Sequence, residues 1–96
     1  ECYDNKMAFS EPESVYCADF SSKLLADLPG GTTKLTHVLR LNLYNNKLSN
    51  WPLSISQLVT LVQLDLSANK MLQVGSDISK LQYVRELNLS KNLLTE

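Results

Sequence analysis

With 96 residues, 44% of them apolar and 20% charged, the chain is one folded domain or a piece of one. Nine basic and ten acidic residues leave a net charge of −1 with no run of Lys or Arg, which argues against nucleic acid or an anionic membrane as partner. Apolar runs stop at four residues, which excludes a membrane-spanning helix.

In chain order, the sequence opens on Glu1 without a methionine. Residues upstream are therefore expected to have been removed or left out, and the lack of a signal peptide excludes no destination. Residues 1–14 show no periodicity. Ser10-Glu-Pro-Glu13 has the spacing of a capping box, which predicts a short helical turn with Ser10 as cap and Glu13 answering. This segment is expected to cover the N-terminal edge of the core. Residues 15–37 read as a degraded first turn of a repeat, in which Ala18, Phe20, Leu25, Leu28, Pro29 and Leu35 occupy the apolar and proline columns of the later repeats. Residues 38–60 and 61–83 are full repeats, and 84–96 begin another. Asn46, Asn69 and Asn92 recur every 23 residues. Val38, Leu61 and Val84 share a column, as do Leu41, Leu64 and Leu87, then Leu43, Leu66 and Leu89, then Leu48, Met71 and Leu94. Trp51 pairs with Val74, Ile55 with Ile78 and Leu58 with Leu81. A period of this length signals stacked supersecondary units.

Within each repeat, the two leucines of L-x-L point the same way because side chains alternate along a strand. The spacing of three in Ile55, Leu58 and Leu61 suits a short helical or 3₁₀ segment with one buried edge. The asparagine amide is suited to bonding backbone where the chain leaves the strand. No single repeat offsets its own ordering entropy, so the stack must be continuous.

Residues 38–96 read L-x-x-L-x-L-x-x-N-x-L followed by W/V-P/G-x-x-I-x-x-L, which resembles the leucine-rich-repeat family. The resemblance implies an α/β fold: a leucine-rich-repeat solenoid of one domain, 1–96, with a curved parallel sheet on the concave side and short helical, 3₁₀ or irregular segments on the convex side. It implies a protein-binding scaffold, no enzyme and no cofactor, with another protein as partner. The 23-residue repeat is similar to the Ras-suppressor-like subclass common inside cells, which implies a cytoplasmic setting. Against this, Val15-Tyr-Cys17 resembles the cysteine-bearing cap of secreted members and implies a disulfide between Cys2 and Cys17, although two of that cap's usual four cysteines are missing. Two unpaired thiols and an extracellular location are the alternatives left open by these two features.

The concave-face positions of the repeats are Arg40, Asn42 and Tyr44, then Gln63, Asp65 and Ser67, then Glu86, Asn88 and Ser90. Asp19 and Ser21 extend two of these rows into the degraded turn. Tyr44 and Arg40 are the leading candidates for binding, since Tyr and Arg dominate hot spots. The sequence stops soon after Leu94 with no cap in sight, so a bare end is expected there, open to self-association or to a covering partner. Other chemistry is weak. Pro29-Gly-Gly-Thr-Thr-Lys34 lacks the order of a phosphate loop, and His37, the only histidine, has no paired acid or nucleophile. Two cysteines and one histidine fall short of a zinc site, so no metal is expected. Trp51 sits in a core column. Asn88-Leu-Ser90 is a glycosylation sequon that the repeat pattern also explains without a glycan.

Overall fold

A computed structural model describes residues 1–95. Four short strands form one parallel sheet in chain order: β1 (Cys17–Asp19), β2 (Arg40–Asn42), β3 (Gln63–Asp65) and β4 (Glu86–Asn88). The register steps by one repeat each time, pairing Cys17 with Arg40, Arg40 with Gln63 and Gln63 with Glu86. Parallel neighbours need a long crossover. Here the return half of each turn supplies it, with 3₁₀ segments at Thr32–Lys34, Leu53–Gln57 and Ser76–Lys80. The spacing of three predicts these segments, since 3₁₀ geometry eclipses every third side chain. Pro52 stands at the entry to the second of them, where a backbone donor is not required.

The core lies between the sheet and this 3₁₀ layer. Val38, Leu41, Leu43, Leu48, Ile55, Leu61, Leu64, Leu66 and Met71 are all buried, and Phe20 fills the equivalent place in the first turn. Phe20 packs at 5.7 Å against Phe9 of the N-terminal segment. Trp51 belongs to the same core, with its indole laid against Gly75. A Cβ at Gly75 would stand 2.3 Å from the ring, so only glycine permits that approach. Burial falls away toward β4: Leu41 and Leu64 are each 1% exposed, but Leu87 is 38% exposed.

The asparagine column stitches each turn to the one before it. Asn69 Nδ2 donates to the carbonyls of Leu43 and Leu66 at 2.9 and 3.0 Å, and its Oδ1 accepts from Leu48 N–H at 3.1 Å. Asn46 repeats this toward Phe20, Leu43, Lys23 and Leu25, and Asn92 toward Leu66, Leu89 and Met71. Each amide therefore satisfies buried backbone groups of two turns at once, which the sheet ladder leaves unpaired at the bend. The residue before each asparagine is left-handed: φ is 60° at Asn45, 56° at Ala68 and 58° at Lys91, with Ser22 at 55° in the first turn. Only Asn45 is of a type that visits this region readily; for other non-glycine residues it costs about 1–2 kcal/mol.

The N-terminal segment caps the sheet, though not by the expected device. The predicted capping box on Ser10 and Glu13 does not form. Ser10 Oγ instead donates to the Met7 carbonyl, and the 3₁₀ turn Pro12–Ser14 has no side-chain cap. Pro12 takes the first position of that turn, so the cap position falls on Glu11 and not on Ser10. The helical turn lies earlier, at Asn5–Ala8, where Asp4 Oδ1 accepts from Lys6 and Met7 N–H at 3.0 Å each. The bond from Met7 N–H favours the carboxylate and, joined by Lys6 and the charge of Lys23, holds Asp4 below its ordinary value despite partial desolvation. Tyr3 then pairs in parallel with Ala18, so the capping segment covers the edge of β1. A disulfide joins Cys2 to Cys17 across a separation of 15 residues. Unfolded, unreduced protein is expected to show no titratable thiol. Replacing both cysteines by serine is expected to cost about 3 kcal/mol in the chain-entropy account. Two free thiols in the unreduced protein would reject the bond.

Candidate functional site

Strand alternation sorts the side chains of β1–β4. Leu41 and Leu64 turn into the core, and their neighbours turn out. The outer face is a hollow of about 560 Å³ lined by Cys17 and Asp19 from β1, Arg40 and Asn42 from β2, Gln63 and Asp65 from β3, and Glu86 and Asn88 from β4. The structure thus brings together six of the nine repeat positions proposed as a binding face: Arg40, Asn42, Gln63, Asp65, Glu86 and Asn88.

The remaining three stand apart from the hollow. The strands are only three residues long, so Tyr44, Ser67 and Ser90 lie past their ends. Tyr44 is 43% exposed, and Ser90 is exposed. Ser67 departs from expectation: it is 4% exposed, and its hydroxyl donates to Asp65 at 2.6 Å. A side chain so enclosed offers a partner almost no surface.

The two rows inside the hollow differ in kind. Asp19, Asn42, Asp65 and Asn88 each accept, through one side-chain oxygen, from the N–H two residues on: Ser21, Tyr44, Ser67 and Ser90, at 2.9–3.1 Å. This is the local turn that Asp and Asn favour, so the row shapes the bend after each strand as well as facing the hollow. In the other row, the Gln63 amide donates to the Glu86 carboxylate and draws those two side chains together. Arg40 stands beside them, exposed, at the middle of the face.

Sequence reasoning passed over two features of this region. Arg85 and Cys2 also line the hollow, because strand-flanking residues and the cap reach its rim. Tyr16, Leu39 and Val62 are stacked one turn apart, linked by backbone bonds from Leu39 N–H to Tyr16 and from Val62 N–H to Leu39. Tyr16 is 59% exposed and Leu39 is 42% exposed, making an apolar strip where the strands begin. The signal was present: an x position of L-x-x-L-x-L is apolar in three successive turns. His37 lies near this strip, its ring 6.5 Å from that of Tyr16, with Nδ1 3.0 Å from the Glu13 carbonyl. Among the described residues no group of three or more His, Cys, Asp or Glu is placed to hold a metal ion. Nor is any described helix long and apolar enough to cross a membrane.

No protein-family model matches the sequence, and no curated protein matches it. Among solved structures, the chain is similar to a leucine-rich-repeat protein of Leptospira interrogans, with 28% identity and a TM-score of 0.73. The match covers 99% of this chain and 30% of that one, so this chain spans less than a third of that protein's length.

Proposed function

We infer that this chain, which has the leucine-rich-repeat fold, is a protein-recognition module that docks its partner in the hollow across β1–β4. The observation that supports this reading is the hollow itself. Outward side chains from all four strands line one continuous concavity, and Arg40 stands exposed within it. A guanidinium there is suited to a bidentate bond with an acidic group of the partner. Tyr44, exposed past the end of β2 and outside the hollow, adds a rigid aromatic surface for a partner that reaches beyond it. The exposed strip of Tyr16 and Leu39 extends the contact where the strands begin.

Alanine at Arg40 or Tyr44 is expected to weaken partner binding by about 1–3 kcal/mol, the range of hot-spot truncations, with little loss of folding stability. Alanine at Ser56 or Lys80, both on the 3₁₀ side of the solenoid, is expected to leave binding unchanged. Calorimetric titration with a captured partner checks this. Binding lost on the 3₁₀ side and kept at Arg40 and Tyr44 would move the interface off the hollow.

A second reading has its own support. Leu87 and Leu93 are exposed beside β4, which suits a unit that associates through that end of the stack. Sedimentation at high concentration separates the two, because an end-to-end unit self-associates and a recognition module stays monomeric. The Cys2–Cys17 bond favours an oxidising compartment, against the cytoplasmic setting that the repeat length implies.

A further inference from the structure

We propose that Asn88 carries an N-linked glycan. The acceptor motif is Asn88-Leu89-Ser90, an asparagine with a hydroxyl residue two places on. Four turns of the solenoid present the same three positions, and only this one has both residues. The first turn offers Asp19-Phe-Ser21, the second Asn42-Leu-Tyr44 and the third Asp65-Leu-Ser67. The first and third lack the amide, and the second lacks the serine or threonine.

Three observations converge on this asparagine. Its side chain and that of Ser90 are both exposed, whereas Asn46 and Asn69 of the bend column are buried. A glycan on either of those two would have to displace the core. At Asn88, Oδ1 takes both local bonds, from Ser90 N–H at 3.0 Å and from Ser90 Oγ at 2.8 Å. Nδ2, the atom that a glycan joins, is not used by that turn, so the folded chain keeps its bend with the sugar in place. The disulfide between Cys2 and Cys17 favours an oxidising compartment, and the secretory route, one such setting, is where this modification is made.

The transfer balances with one co-reactant, an oligosaccharide joined through its anomeric carbon to a lipid diphosphate. A bond forms from Nδ2 to the anomeric carbon, and the carbon–oxygen bond to the diphosphate breaks. The diphosphate leaves with the electron pair, and the amide nitrogen gives up one proton.

The modification also bears on docking. Asn88 lines the hollow two strands from Asn42, roughly 10 Å away at about 4.8 Å per strand. A glycan there occupies the β4 side, so on the glycosylated chain the docking surface of the proposed function narrows to the part of the hollow nearer the cap, which includes Arg40.

Peptide mapping of the protein purified from its own cells tests the proposal. Glycosidase release in heavy-oxygen water is expected to convert position 88 to a labelled acid. A second arm translates the chain behind a secretory leader in the presence of microsomes. Wild type is expected to shift by the mass of one glycan, and Asn88→Asp not at all. That variant keeps the turn, because Asp19 and Asp65 make the same turn in their own repeats. An unmodified Asn88 in the native protein overturns the proposal whatever the state of the cysteines. So does a translocated wild-type chain without the shift.

Discussion

Alanine in place of Asn69 is expected to lower the stability of the solenoid by about 3 kcal/mol or more, since each of three buried backbone groups left unpaired costs about 1–3 kcal/mol. Asn69 is 5% exposed, and its amide serves Leu43, Leu66 and Leu48 together. Water has little access to those groups once the amide is gone. Aspartate is no substitute, because it can accept from Leu48 but cannot donate to the two carbonyls. Asn92 makes the same pattern of bonds at a less buried place, so Asn92→Ala should cost distinctly less. Urea unfolding of the two variants side by side gives the answer. Equal losses would mean that the column acts through bend propensity and not through burial.

Leu64→Ala is expected to cost about 2–5 kcal/mol, the range for emptying a packed aliphatic site. Leu64 is 1% exposed and lies on β3, with the core of a complete turn on either side. Leu87 occupies the same column one turn later, yet is 38% exposed. Its truncation removes surface that is already partly wet and leaves no enclosed cavity, so the loss should be well under that of Leu64. Thermal or urea midpoints read the difference. A Leu87→Ala loss as large as that of Leu64→Ala would show that β4 is covered in solution.

The solenoid was legible in the sequence because one residue type recurs in each column. A 23-residue step that brings leucine onto leucine and asparagine onto asparagine leaves few ways to stack the chain, and the sheet register obeys it. Four features were hidden for physical reasons. The spacing of Ser10 and Glu13 predicts a capping turn there, but a cap depends on backbone direction, and the chain turns earlier at Asp4. The row Asp19, Asn42, Asp65 and Asn88 read as a binding surface because it alternates outward. Its carboxylate and amide oxygens are also bound to the next bend, which polarity alone does not reveal. Ser67 looked like its neighbours in the column, yet it is buried between two full turns with its hydroxyl turned back onto Asp65. Gly75 aligns with Pro52, and nothing in that pairing tells that an indole from the previous turn lies on it. The hollow was legible only in outline: strand alternation gives the residues, whereas its depth and rim depend on how the cap and the bends close around it.

Each strand of this chain pairs only with its neighbours in sequence, and the side-chain bridges between turns span 21 to 26 residues. Among the described residues, no strand pairing ties the first turn to the fourth, as the closing strand of a barrel would. Cooperativity is therefore local, passing from each turn to the next like links in a zipper. The disulfide and the capping segment hold one end, while the other grows steadily wetter. A substitution in one turn therefore acts first on the two turns it touches, and its effect fades with each further turn.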